Sequence, residues 1–239
     1  MTATPLANKL RAKRRHRAYR RGGLVALVAA PLLLLGLAAY SPVLDVDTVR
    51  VTGNDRLSYG GIVRTARVAR GTPLVSLDVG AVRRRVAALP GVKSATVTRS
   101  WPSAVTIHVV ERIPVVAVPR DQHLDLYDVE AVRVAVARTA PPSLPRLAVG
   151  TGTPTPAVID AAVALLRALP ESLRDDVRGL RADGPASLSF SLADGAVVEW
   201  GSADRTADKV RALLLLVGQH AQRYDVTVPD HPAVVPRSP

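Results

Sequence analysis

A chain of 239 residues with 48% hydrophobic content can bury one or two modest cores, so it reads as folded rather than disordered. Its formal charge of +12 is concentrated at one end, because Lys9, Arg11, Lys13, Arg14, Arg15, Arg17, Arg20 and Arg21 supply two thirds of the excess. That basicity marks a leading tail and argues little for a nucleic-acid-binding body. Cysteine is absent, which excludes disulfide scaffolds, thiolate nucleophiles and Cys-ligated zinc.

Residues 22–40 carry no charge, and Leu24 to Leu35 is almost wholly aliphatic apart from Pro31. About 19 residues at helical rise reach roughly 28 Å, enough to cross the hydrocarbon core of a bilayer. The basic run ends at Arg21 and the first acids, Asp45 and Asp47, follow the apolar stretch, so the expected span is single, with its N-terminus cytoplasmic. A cleaved signal peptide with Gly36-Leu37-Ala38 as its cleavage site is the competing reading. The length of the apolar run and of its basic leader favours an anchor.

Beyond the span, Val46, Val49 and Val51 read as a strand ending at Gly53-Asn54. Ser58 is placed to cap a helix running to about Ala69, with Gly71 as its stop. Asp78 caps a second helix, whose Val79, Val82, Val86 and Leu89 recur at helical spacing and leave Arg83, Arg84 and Arg85 largely off that stripe. Pro90-Gly91 ends it. Ala95 to Arg99 and Val105 to Val109 alternate on either side of Ser100-Trp101-Pro102-Ser103, which predicts a hairpin. Strand, helix, helix, strand, strand is the order of a three-stranded sheet covered on one face by two helices.

After Pro119 the pattern changes. Leu124, Leu126, Val132, Val134 and Val136 mark short strands, and Pro141 to Pro156 reads as a proline-punctuated linker in which Leu144, Leu147 and Val149 still have packing potential. Thr155-Pro156 opens a helix with Val158, Ala162, Leu165, Leu166 and Leu169 as its apolar stripe. Leu188, Phe190 and Leu192 form one arm of a second hairpin that turns at Asp194-Gly195 and returns through Val197 to Trp200. A last helix, from about Arg205 to Gln222, is expected to bury Val210, Leu213, Leu214, Val217 and Ala221. The strand Tyr224-Asp225-Val226-Thr227-Val228 follows it and then a Pro-containing tail, so this strand is either a sheet edge open to a partner chain or an internal, covered one.

The chain resembles the FtsQ/DivIB family of bacterial cell-division proteins. The resemblance rests on an anchor followed by Val49-Arg50-Val51-Thr52-Gly53-Asn54, on Pro90-Gly91-Val92, on Arg99-Ser100-Trp101-Pro102 with Val105-Thr106-Ile107, and on Glu111-Arg112-Ile113-Pro114-Val115. It continues through Leu144-Pro145-Arg146-Leu147, Asp194-Gly195, Gly201 with Lys209, and Tyr224 to Pro229. One departure is the turn Asp128-Val129-Glu130-Ala131, which lacks the glycine that the family usually has there.

The resemblance implies an α+β architecture: a basic cytoplasmic tail (1–21), a transmembrane helix (22–40), a POTRA-like domain (41–118), a mixed β domain with two helices (119–230) and a C-terminal tail (231–239). It implies a non-enzymatic scaffold at the division septum that binds FtsB/DivIC-type and FtsL-type proteins outside the membrane. Such a scaffold helps control the septal peptidoglycan synthase complex. Strand addition at Tyr224, Asp225, Val226, Thr227 and Val228 is the contact the family likeness suggests. A membrane-anchored chaperone of secretion or envelope assembly is the alternative for a POTRA-like module, although such proteins generally carry several repeats or a barrel.

The residues themselves offer little chemistry. There is no Gly-x-Ser-x-Gly elbow, Ser-x-x-Lys, Gly-Lys-Ser/Thr phosphate loop or His-Glu-x-x-His helix, so no catalytic residue, cofactor, small-molecule substrate or metal is expected. Asp121, His123 and Asp125 alternate on one strand face, which is read as a solvated hairpin surface in preference to a metal cluster. Trp101 is expected to pack beside Pro102 rather than to serve as a partner contact. The arginine runs lack the interleaved aromatics that stack bases, so no nucleic acid is expected.

Overall fold

The computed structural model describes residues 42–142, 144–150 and 152–237. The expected cytoplasmic tail and membrane span lie outside the described residues, among which no helix is long and apolar enough to cross a membrane. Two compact units are present: one takes in the described residues up to Val86 with Ala95–Val109, the other Ala87–Ser94 with the chain from Val110 onward.

The first unit follows the expected order. Strand β1 (Thr48–Thr52) leads to helices α1 (Tyr59–Ala66) and α2 (Val79–Ala87), then to β2 (Val92–Ser100) and β3 (Ala104–Glu111), with sheet order β1-β3-β2. β1 runs parallel to β3, with Thr48 opposite Ala104 and Val51 opposite Ile107. Each helix starts where a side chain satisfies a free backbone N–H: Ser58 Oγ accepts from Gly61 (3.1 Å) and Asp78 Oδ1 from Ala81 (2.9 Å). That bond is the main reason the Asp78 carboxyl titrates below its ordinary value.

Helix α1 is shorter than the sequence suggests, because Arg67 takes the left-handed conformation (φ 49°) and its N–H closes on Val63, ending the helix before Ala69. Arg85 then fastens α2 to α1, donating through Nε and Nη2 to the carbonyl of Ala66 at the helix end, at 3.0 and 2.7 Å. Ile62, Ala66, Val82, Val86, Val105 and Ile107 are completely buried. Gly53 is required by space as well as by its φ of 77°, since a Cβ there would fall 2.2 Å from the Val109 carbonyl oxygen.

The second unit is a nine-stranded mixed sheet in the order β12-β11-β10-β9-β8-β7-β4-β5-β6. Its strands are β4 (Pro114–Arg120), β5 (His123–Asp128), β6 (Arg133–Ala137), β7 (Arg146–Val149), β8 (Val177–Gly184), β9 (Ser187–Leu192), β10 (Val197–Gly201), β11 (Arg223–Asp225) and β12 (Ala233–Val235). Helices α3 (Pro156–Ala168), the single turn α4 (Glu171–Arg174) and α5 (Thr206–Leu216) contribute to its main core, which includes Leu147, Leu165, Leu166, Phe190, Trp200, Leu213 and Tyr224. A smaller cluster of Ala117, Leu124, Leu126, Val134 and Ala140 includes part of the segment joining β6 to β7, and Leu144 packs against it.

Three expectations need correction here. The boundary placed at 118/119 falls inside β4, because Pro119 pairs with Leu124 near the end of that strand and does not interrupt it. The proline-punctuated linker contains β7, which runs parallel to both β4 and β8 near the middle of the sheet. In the last helix, Leu214 is 46% exposed and Lys209 is buried in the stripe instead, while the helix gives way to a 3-10 turn at Val217–Gln219.

The departure at Asp128-Val129-Glu130-Ala131 has a local solution. Ala131 itself takes the positive φ (56°) that a glycine would occupy, and Asp128 Oδ1 accepts the N–H groups of Glu130 and Val132, both at 2.9 Å. Asp128 Oδ2 receives Arg112 Nη1 at 2.6 Å, and Arg112 also reaches Glu130 at 2.8 Å. Those hydrogen bonds raise the Arg112 pKa above its usual value, Glu130 being the larger cause, and hold the Glu130 carboxyl below its own.

Candidate partner-binding edge

The last third of the chain builds one end of the large sheet. β10 leaves the core at Gly201 (φ 74°), where an added Cβ would press on Thr227 Cγ2 at 3.3 Å, so the two segments approach closely because one has no side chain. Lys209 on α5 turns back to this point. Its buried Nζ donates to the carbonyls of Trp200 (2.9 Å) and Ser202 (2.8 Å) and lies 5.7 Å from the centre of the Trp200 ring. Burial pushes its pKa down.

After α5 the chain enters β11, which pairs parallel with β10, Val198 opposite Tyr224. The Tyr224 hydroxyl ties this strand to the end of the helix, accepting from the Ala221 N–H (3.0 Å) and donating to the Val217 carbonyl (3.1 Å). Asp225 Oδ1 accepts from the backbone N–H and the hydroxyl of Thr227, which bends the chain out of the strand. Val226 still donates to Glu199 at 3.0 Å.

Of the five residues expected at the partner contact, Tyr224 and Val226 are fully buried, Asp225 is half-buried, and Thr227 and Val228 are exposed. β11 does not lie at the sheet edge. The Pro-containing tail returns as β12 and pairs antiparallel with β11, Tyr224 opposite Val234, so the outermost strand is Ala233–Val235. Sequence reasoning missed it because three residues between Pro232 and Pro236 give no alternation to read. The signal present was the apolar run Ala233-Val234-Val235 in a polar tail.

β12 is tethered at both ends. Before it, Asp230 receives two hydrogen bonds from the Arg205 guanidinium, the one from Nη2 at 2.7 Å, and Arg205 Nε also reaches Asp208 at 3.0 Å. These bonds raise the Arg205 pKa and hold Asp230 below its ordinary value, while Asp208 is lowered first by Arg211 and then by Arg205. After it, Arg237 Nη2 donates to the Asp194 carbonyl at the β9–β10 turn (3.0 Å). Between α5 and the turn into β12 runs an open groove of about 500 Å³, lined by Arg211, Leu215, Leu216, Pro229 and Pro232 among others. Leu215 is 82% exposed there.

The remaining candidates fall elsewhere. Asp125 is buried, its carboxylate 3.5 Å from Arg133, 3.7 Å from Arg120 and 3.6 Å from His123 Nε2, whereas Asp121 sits in the preceding turn at φ 44°. Among the described residues no group of three metal-ligating side chains converges. Trp200 is fully buried against Phe190, but Trp101 is 56% exposed, which overturns the expectation that it packs.

Comparison with known proteins agrees with this architecture. Residues 44–112 match the family described as POTRA domain, FtsQ-type, and residues 117–230 match Cell division protein FtsQ/DivIB, C-terminal. The chain is 37% identical to the cell division protein FtsQ of Mycolicibacterium smegmatis, over 87% of this chain and 63% of that protein. It is also 37% identical to that of Mycobacterium tuberculosis, over 89% and 69%. It thus spans about two thirds of the length of these mycobacterial relatives. The FtsQ of Streptomyces bingchenggensis is 34% identical over 94% of this chain and 90% of its own length. With both family matches in chain order and a Streptomyces relative similar over nearly its whole length, the chain belongs to the FtsQ/DivIB family of bacterial cell-division proteins.

Proposed function

We propose that this protein is a non-enzymatic scaffold of the division machinery, held by a single N-terminal span with its folded part outside the membrane. It binds FtsB/DivIC-type and FtsL-type partners there and helps control septal peptidoglycan synthesis. The observation that carries the reading is β12, a short strand tethered at both ends whose outer side ends the nine-stranded sheet. An edge of this kind presents unpaired N–H and C=O groups to an incoming extended segment. In this reading the contact lies on Ala233–Val235, and Tyr224, Asp225, Val226, Thr227 and Val228 form the strand and turn that support it.

The test is co-purification of the full chain with the FtsB-type and FtsL-type proteins of the same cell, beside Ala233→Lys and Val235→Lys. Both side chains are exposed, so the substitutions charge the edge without disturbing the core. Loss of capture with an unchanged circular dichroism spectrum supports strand addition at β12. Undiminished capture moves the contact to another surface, and no capture by the unsubstituted chain sinks the scaffold reading.

A further inference from the structure

The exposed Trp101 has neighbours that explain it. The segment leading into β1 is clasped on one side by the loop after α1: Gly71 donates to Val46 O, Val46 to Thr72 O and Leu74 to Leu44 O, all between 2.9 and 3.0 Å. On the other side Asp47 and Thr48 both donate to the carbonyl of Ser103, in the turn that carries Trp101. The loop after α1 and the β2–β3 turn therefore flank the point at which the chain comes in from its N-terminal side.

That end of the unit has an unusual surface. Val43 is 69% exposed, Trp101 56% and Val75 42%, while Arg67 and Arg70 are exposed at the end of α1 and in the turn that follows it. Arg99 lies beneath, donating to the carbonyls of Leu74 and Leu77 at 2.7 Å each, which holds the loop carrying Val75 in place. Asp45 and Asp47 are the acids of the incoming segment, and Arg64 adds a further exposed cation one turn up α1. Apolar side chains, one tryptophan and arginines on a single end of a domain are the composition of a surface at a membrane–water interface, where indole rings prefer the headgroup level and guanidinium groups meet phosphates.

We propose that this end of the first unit docks on the outer surface of the bilayer, with Trp101, Val43 and Val75 in the interfacial layer and Arg67 and Arg70 on lipid phosphates. The inference rests on the membrane-anchor reading for its geometry: Val43 follows the end of the expected span at residue 40 by three residues. Even fully extended, that link reaches only about 10 Å. A short tether keeps this end against the bilayer, and the apolar and basic groups lie at that end.

The chain has two tryptophans, and Trp200 is completely buried in the second unit, so quenching by lipid reads Trp101 while Trp200 adds a constant background. The full chain is reconstituted with vesicles of phosphatidylcholine and phosphatidylglycerol, with or without bromine on the acyl chains. Expected is partial quenching by the brominated lipid that disappears in Trp101→Phe and is at least halved by Arg67→Glu with Arg70→Glu. Equal quenching of the unsubstituted chain and Trp101→Phe overturns the proposal. Alkaline carbonate extraction of the same vesicles reports separately on the anchor: extraction of the protein removes the span, and Trp101 quenching still decides whether this end meets lipid.

Discussion

Arg205 holds Asp230 through two guanidinium nitrogens across 25 residues of sequence, fixing the turn before the outermost strand to the start of α5. Arg205 sits at φ 52°, a left-handed position that aims its side chain from the helix N-terminus. Both groups are exposed, so the pair adds little to global stability; its effect is local, on the strand that ends the sheet.

Asp230→Asn is therefore expected to leave the melting temperature nearly unchanged while hydrogen exchange at Ala233–Val235 speeds up. The pH dependence follows from the lowered Asp230 pKa. A depressed carboxyl contributes above its unfolded value, about 3.9, and loses that contribution as pH falls through the folded one. Protection of β12, corrected for intrinsic rates, should stay flat from about pH 8 to about pH 5 and collapse below about pH 4. A steady decline through neutral pH would mean that another group holds the strand.

Asp128 is a stronger case because it is buried. Its carboxylate accepts two backbone N–H groups and the mostly buried Arg112, so Asp128→Ala takes both acceptors from the turn and leaves Arg112 with Glu130 alone. Breaking a buried pair from one side costs about 3–5 kcal/mol. Chemical denaturation should show a loss of that order, and a loss under about 1 kcal/mol would mean that the turn keeps its form without the Asp128 carboxylate.

The first unit was readable because its helices and strands carry long apolar periodicities: Val82 and Val86 four apart, Val105, Ile107 and Val109 two apart. The centre and the end of the large sheet were not. β8 buries Val177, Leu180 and Ala182, whose spacing is broken by a register shift between Val177 and Gly179, so it reads as neither helix nor strand. β12 is three residues long, and its position is determined by ion pairs to Arg205 and Asp194 that no local pattern announces. The tryptophans show the same limit, since burial of Trp200 and exposure of Trp101 follow from tertiary placement rather than from neighbouring residues.

Tyr224→Phe tests how much of the strand's position depends on one hydroxyl. The phenol accepts from Ala221 and donates to Val217, and its removal leaves two backbone groups at the end of α5 without that partner. The expected loss is about 1–3 kcal/mol by urea denaturation, with an unchanged far-ultraviolet spectrum. No measurable loss would show that water takes the hydroxyl's place at Ala221 and that the His220 N–H, 3.4 Å from the Val217 carbonyl, suffices there.

Lys209 makes the sharpest prediction about charge. Its Nζ is buried with two carbonyl partners and no carboxylate within ion-pair distance among the described residues, and burial lowers its pKa. Replacement by methionine keeps the aliphatic stem but removes both hydrogen bonds, so Lys209→Met should cost about 1–2 kcal/mol at neutral pH. The unfolded chain binds the proton more tightly than the folded one, so between the lowered pKa and about 10.4 the folded state gains stability as pH rises. The neutral amine still has two N–H groups, one for each carbonyl. The stability gap between the unsubstituted chain and Lys209→Met should therefore widen from about pH 7 to about pH 10 in parallel denaturation curves. A gap that narrows over this range would mean that the two carbonyls and the Trp200 ring stabilise the ammonium more than burial opposes it.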